Sequence, residues 1–443
     1  MDRKGWDLSG AEAGVDEFEL ITEKSDLKAL AKDLKKADII AFDTEADSFY
    51  HYFDKTCLLQ IATRDQAWLV DPLALGGPAE LAPLGPVFAD PKIRILFHAA
   101  EYDIFILKRD CGFSFTNLFD TMLSAQLLGY PSVGLAALVE RHFGIHLPKD
   151  EQKSDWSRRP LTDKQLSYAV TDVHYLIRLA ETLEGELKQK QRLEWAHQEF
   201  EALVSREWPE REFDKLGYLK IKGAKVLSPT SLAILRELYL TRDARAREID
   251  RPPFKVLGNR TLLELAKEAT TETSELVRIK GVTELIMRRM GDSLREAIAR
   301  GLEKPHGPIP KQTNTNTPVR KRMDRQMEKR FTRLKGWREK RSKELELDPG
   351  VLAPNACLEA VSIAKPDSLD SMIEIPEIKT WFAESFGQEI LAVLESEEND
   401  PSDSKPAKPR KRSASAKKRR RRKGPRSKTS SEKSDPEAAD PKK

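Results

Sequence analysis

The chain has 443 residues, with 76 Lys plus Arg against 72 Asp plus Glu, a formal charge of only +4, and 39% hydrophobic residues. The length suggests two to four domains of about 100–200 residues each, the apolar content is enough for real cores, and no apolar run approaches the ~18 residues of a spanning helix. Cys57, Cys111 and Cys357 lie far apart and form no C-x-x-C, which disfavours a disulfide framework or zinc ribbon and points to a reducing cytoplasm. The first residues, MDRKGWDLSG, lack the apolar core of a signal peptide. The small net charge conceals a strong asymmetry. Residues 1–200 carry −10, 201–300 carry +4, 301–350 carry +7, 351–400 carry −9 and 401–443 carry +12. Such segregation is a pointer to polyanion binding.

In chain order, FELIT (18–22) reads as a strand, and Ser25 is placed to cap an amphipathic helix over Asp26–Lys36. DIIAFDTEA (38–46), CLLQIAT (57–63) and QAWLVD (66–71) read as three successive strands, the last two joined by the short turn Arg64-Asp65. A helical stretch near Ala79–Phe88 leads to a further strand, KIRILFHA (92–99). Everything after it reads as helix: Glu101–Arg109, Asp120–Leu128, Gly134–Phe143 and a long segment, Thr162–Lys188. Tightly joined strands followed by a crossover predict an α/β domain with a mixed sheet flanked by helices.

From about Leu227 only helical periodicity remains, and the chain repeats itself. VLGNRTLLELA (256–266) aligns with VLAPNACLEAV (351–361) at an offset of 95, and MGDSLREAI (290–298) with FGQEILAVL (386–394) at 96. Two copies of one small helical bundle are expected. GPIPKQTNTNTPVRKR (307–322) between them reads as a linker. Beyond Glu395 there is almost nothing to bury, so a disordered basic tail is expected. The expected boundaries are an extension at 1–17, the sheet domain at 18–200, the first bundle at 225–303, a linker at 304–324, the second bundle at 325–398 and the tail at 399–443.

Four acids stand out. Asp43 and Glu45, two apart in a strand-like run, point to one face. They either lie at an exposed strand end or need a cation between them. Asp103 follows the strand ILFHA in the first turn of a helix, where an acid is also favoured by the helix terminus alone. Asp172 borders the apolar stripe of QLSYAVTDVHYLIRL, with Tyr168 one turn before it on the same side. Together they could supply oxygen ligands to two hard divalent cations clamping a phosphodiester. No zinc-spaced His/Cys cluster, G-x-S-x-G or G-x-x-x-x-G-K-[ST] competes, so neither nucleophilic hydrolysis nor a nucleotide cofactor is expected.

FDTEAD (42–47), FHAAEYDIFIL (97–107) and YAVTDVHYL (168–176) resemble, in order and spacing, the three exonuclease motifs of the DEDD superfamily, and Tyr168 four before Asp172 marks the tyrosine-bearing branch. LLQIAT (58–63), FDTMLSAQLLGY (119–130) and SDWSRRPLT (154–162) are similar to the ribonuclease D family, and the two repeats resemble helicase-and-RNase-D C-terminal (HRDC) domains. The resemblance implies a ribonuclease H-like sheet, then two all-α bundles. It further implies that Asp43, Glu45, Asp103 and Asp172 hold two Mg²⁺ or Mn²⁺ ions, with Tyr168 orienting the attacking water in 3′→5′ release of nucleoside 5′-monophosphates. RNA, tRNA precursors above all, is the implied partner of a cytoplasmic monomer with no membrane association. A DNA exonuclease and a non-catalytic RNA-binding scaffold are the competing expectations.

Lys405–Lys428 holds 14 basic residues and no acid, including Lys417, Lys418, Arg419, Arg420, Arg421, Arg422 and Lys423. Counterion release by such a run predicts strong, salt-sensitive, sequence-blind RNA binding. Phe331 and Trp337, interleaved with the basic stretch Arg320–Arg341, could stack on bases, but their six-residue spacing favours core burial of Trp337.

Overall fold

A computed structural model gives the protein's structure over residues 18–148, 150–208, 213–304 and 324–396. The N-terminal extension, most of the expected linker and the basic tail with Lys417–Lys423 lie outside these residues.

The continuous apolar runs at 39–46 and 56–62 form the central strands of a six-stranded sheet, because strands buried on both faces need side chains that shun water everywhere. The strands are β1 (Glu19–Ile21), β2 (Ile39–Ala46), β3 (Thr56–Ala62), β4 (Ala67–Val70), β5 (Arg94–Phe97) and β6 (Leu118–Asp120), in the spatial order β1-β4-β3-β2-β5-β6. β2, β3 and β4 pair antiparallel, while β1 on β4, β5 on β2 and β6 on β5 are parallel. This is the mixed α/β sheet expected from the chain's pattern.

Three local expectations are corrected. β6 lies where only helix was expected: three residues are too few to show a period, and Phe119 is fully buried between neighbours. The first helix, α1 (Lys24–Leu34), begins before Ser25, with Glu23 at its cap and no side-chain cap bond; the Ser25 hydroxyl donates to Asp26 instead. The long segment after Thr162 is two helices, Asp163–His174 and Leu176–Gln189, which part at Tyr175. Thr162 and Gln165 close a reciprocal capping box at the start of the first.

Two helical units follow, each with its own core. The long helices starting at Pro229, Asn259 and Glu284 recur at Arg325, Asn355 and Thr380, so the register is 96 throughout and the offset of 95 read from VLGN and VLAP is one residue out. The corrected register aligns buried guanidiniums. Arg242 donates to the Leu257 carbonyl at 2.9 Å and Asn259 Oδ1 at 2.8 Å. Arg338 donates to the Ala353 carbonyl at 2.7 Å and Asn355 Oδ1 at 3.0 Å. It also aligns two left-handed residues, Asp250 (φ 46°) with Glu346 (φ 54°).

Both copies present that left-handed corner to the sheet domain. In the second copy the Glu346 carbonyl sits against Gly129, where a β-carbon would come within 1.9 Å of it. Trp195, on the helix Leu193–Ser205, stacks on Trp381 at 4.6 Å, and Arg192 donates to both the Leu127 and Leu345 carbonyls at 2.7 Å. In the first copy Asp250 accepts from Tyr52 N at 3.0 Å and Phe53 N at 3.2 Å, and meets His51 Nδ1 at 2.6 Å.

Candidate active site

β2 ends with Asp43, Thr44 and Glu45, and strand alternation puts the two acids on one face. The helix Asp163–His174 packs across β2 and β3 and brings Asp172 to them. One oxygen from each of Asp43, Glu45 and Asp172 lies within 4.8 Å of the others. Asp103 does not join that triad. It sits buried in the first turn of the helix Glu101–Cys111, where the Thr44 hydroxyl donates to its Oδ1.

The electrostatics of the group are unfavourable without a cation. Burial, then Asp103, Asp172 and Glu45, push Asp43 well above the usual carboxylate range. Burial, then Asp172 and Asp103, do the same to Glu45. Burial pushes Asp103 to about 7 against the Thr44 hydrogen bond, and Asp172 to about 7 against the Tyr168 hydroxyl. Tyr168 is itself raised, by burial first and then by Asp172, Glu45 and Asp43. Among the described residues none of the four acids forms an ion pair with a side chain. Buried oxygen donors without a protein cation are the donor set a hard divalent ion requires, so these residues fit the metal the motifs imply.

Neighbouring groups hold the frame. Asp120 caps the helix Thr121–Leu128 through Met122 N and Leu123 N, and also accepts from Ala99 N and Ala100 N. It thereby fixes the turn that starts the Asp103 helix, where Ala99 adopts φ 65°. His98 meets Thr121 Oγ1 at 2.9 Å, and burial lowers its pKa to about 4. Asp47 is fully buried and paired with Lys55 at 2.5 Å. Arg159 binds Asp71 through Nε and Nη2 and the Cys57 carbonyl through Nη2, which pins the segment before the Asp172 helix to β3.

Sequence reading missed Gln60. It is directly opposite Asp43 in the β2–β3 register, hence on the same face, fully buried, with neither amide atom hydrogen-bonded. A lone polar residue inside LLQIAT was the signal available for it. Trp337 is partly buried in the second copy's core and donates to Glu389 at 2.8 Å, and Phe331 packs against the same core, so neither is a free stacking surface.

Fold and site together define a DEDD-type 3′–5′ exonuclease followed by paired helical domains. The 3′-5′ exonuclease family model matches residues 18–188, and the HRDC domain model matches 231–303 and 327–394. Ribonuclease D of Pseudomonas paraeruginosa is 30% identical over 385 residues, covering 86% of this chain and 98% of that protein. Ribonuclease D of Zymomonas mobilis is 31% identical over 400 residues, covering 85% and 94%. The crystal structure of Escherichia coli RNase D, described as an exoribonuclease involved in structured RNA processing, superposes with a TM-score of 0.62 at 25% identity, covering 86% of this chain and 99% of that one. The chain belongs to the ribonuclease D family and is a 3′–5′ exoribonuclease. No helix of the described residues is long and apolar enough to cross a membrane.

Proposed function

We propose that the protein trims the 3′ ends of tRNA precursors and other structured RNAs, using two divalent cations, Mg²⁺ or Mn²⁺, at Asp43, Glu45, Asp103 and Asp172. The observation that carries this reading is the group of Asp43, Glu45 and Asp172, with oxygens within 4.8 Å of one another and, among the described residues, no ion pair to a cationic side chain. Bound cations would supply a water of lowered pKa and neutralise charge on the scissile phosphate. Asp43, Glu45 and Asp172 form one group, and Thr44 donates to Asp103, whose charge acts on Asp43 and Glu45. The Tyr168 hydroxyl, kept protonated by burial and its acidic neighbours, donates to Asp172 and offers its oxygen to accept from, and so orient, the attacking water. Attack at phosphorus breaks the bond to the penultimate 3′ oxygen and releases a nucleoside 5′-monophosphate.

The domain boundaries stated from sequence are carried forward in this reading, with an exonuclease domain at 18–200 and HRDC domains at 225–303 and 325–398. So are action as a cytoplasmic monomer and RNA tethering by Lys417–Lys423. The Escherichia coli relative's role in structured RNA processing supports the choice of substrate.

Asp43→Asn tests the site. Hydrolysis of a single-stranded 3′ end falls to the level of chelated wild-type protein, while the metal-free variant is at least as stable, because a crowded buried charge has gone. Near-normal hydrolysis by Asp43→Asn in Mg²⁺ overturns the reading, and faster hydrolysis of a matched DNA strand than RNA redirects it to DNA.

A further inference from the structure

The two HRDC copies dock on the exonuclease domain through the same corner, but they leave different chemistry at the seam. In the second copy the seam joins apolar packing to inward polar bonds, with Lys379 paired to Glu199 and Trp381 donating to Gln198 and Glu199. Leu347 is buried, Val351 packs against the exonuclease core, and Trp381 stacks on Trp195. The positions 96 residues earlier are Arg251 and Lys255, and both are exposed. Phe254 stands where the second copy has Gly350, and it is 57% exposed. The loop met by its neighbour Lys255, residues 47–55, starts two residues after Glu45 and exposes Phe49 at 50% and Phe53 at 57%. Lys255 Nζ lies 3.6 Å from the centre of the Tyr50 ring, and Arg247 lies 5.8 Å from that of Phe53.

Phe49, Phe53 and Phe254 are each half or more exposed, while Asp250 and Tyr52 hold the docking by polar bonds. The acids of the seam are engaged: Asp250 by His51 and the Tyr52 and Phe53 amides, Asp243 by the Tyr52 hydroxyl, and Asp54 by Arg109 and Tyr102. Among the described residues no carboxylate forms an ion pair with Arg247, Arg251 or Lys255. Aromatic faces interleaved with cations that carry no carboxylate partner are the chemistry of a single-stranded nucleic-acid track: bases stack on the rings and phosphates meet the cations.

We propose that the seam between the 47–55 loop and the first HRDC domain is a track for single-stranded RNA. Phe49, Phe53 and Phe254 stack the bases upstream of the 3′ end held at the carboxylates, and Arg251 and Lys255 meet the phosphates. The track rests on the carboxylate reading for its direction, since it assumes the 3′ end lies at Asp43. Its chemistry does not depend on catalysis.

The test uses the full chain in chelator, so that RNA is bound and not cut. Single-stranded RNAs carry the fluorescent base 2-aminopurine at successive positions upstream of the 3′ end. Wild-type protein quenches it at the positions that stack on the track. Phe53→Ala/Phe254→Ala abolishes that quenching and weakens affinity about tenfold. Arg251→Gln/Lys255→Gln leaves quenching detectable but lowers the slope of log affinity on log salt by about two. Ile373→Ala, an exposed apolar residue of the second copy, leaves both readings unchanged and controls for nonspecific loss. Quenching and affinity unchanged in the phenylalanine variant overturn the track and leave the seam to a protein partner. Quenching lost in Ile373→Ala as well also overturns it. Normal quenching with no hydrolysis in Mg²⁺ would instead sink the carboxylate reading while the track stands.

Discussion

The two HRDC copies are one fold in one register, fastened at one corner, and they differ in what holds them. The second is held by packing together with satisfied polar bonds: a tryptophan stack, a glycine that admits a carbonyl, a buried guanidinium, and the Lys379–Glu199 pair. The first is held by polar bonds to a loop that follows Asp43 and Glu45 in the chain, with aromatic and cationic side chains left in water. A duplicated docking corner can therefore serve as a fixed anchor in one place and a substrate-facing seam in another. The backbone is common to both, and the side chains decide.

The contrast can be broken by substitution. Trp195→Ala removes the stack on Trp381 and the indole donor to Ser385, and should cost about 3 kcal/mol in denaturant unfolding. A loss under about 1 kcal/mol would mean that the stack is not the anchor. Gly129→Ala forces a β-carbon against the Glu346 carbonyl, with an expected cost of about 1–3 kcal/mol. Gly112→Ala is the matched control: it is also left-handed, at φ 66°, but nothing lies within 4 Å, so only backbone strain of about 1 kcal/mol remains.

On the first copy, Asp250→Ala strands the Tyr52 and Phe53 amides and should cost about 1–2 kcal/mol at neutral pH. Burial opposes the Asp250 charge, but the hydrogen bonds from His51, Phe53 N and Tyr52 N outweigh it and hold its pKa below the ordinary value. A depressed carboxylate stabilises above its unfolded pKa of about 3.9 and loses that effect as pH falls through its folded value. The gap between wild type and Asp250→Ala should therefore close in melts recorded below about pH 4. The smallest effect belongs to Glu346→Gln: its side chain is 81% exposed and only 3.8 Å from Lys190, so at most about 0.5 kcal/mol is at stake. A larger effect there would erase the distinction between a packed anchor and a polar seam.

Much of this was legible in the chain, for identifiable reasons. Long runs such as DIIAF and CLLQIAT declare buried strands, and carboxylates interrupting them declare a site. β6 was not legible, because three residues carry no period and its partner β5 is fixed by tertiary context. Nor was the break at Tyr175, which interrupts an apolar stripe without Pro or Gly. The separation of Asp103 from the acid triad depends on the Thr44 hydroxyl, a contact across 59 positions that spacing cannot encode. The unpaired amide of Gln60 became visible only once its register partner was known to be Asp43. The contrast between the two seams was hidden for a related reason: Lys255 and Val351 become comparable only in the register of 96.

Arg192 bears on how the molecule comes apart. One guanidinium ends two helices at once, taking the Leu127 carbonyl of the exonuclease domain with Nη1 and the Leu345 carbonyl of the second copy with Nη2. The Leu345 end keeps this donor only while the second copy stays docked on the exonuclease domain. The two units thus share one cooperative unfolding event, and a calorimeter should record them as a single endotherm. The first copy, which lacks such a shared cap, is the part that can melt ahead of it.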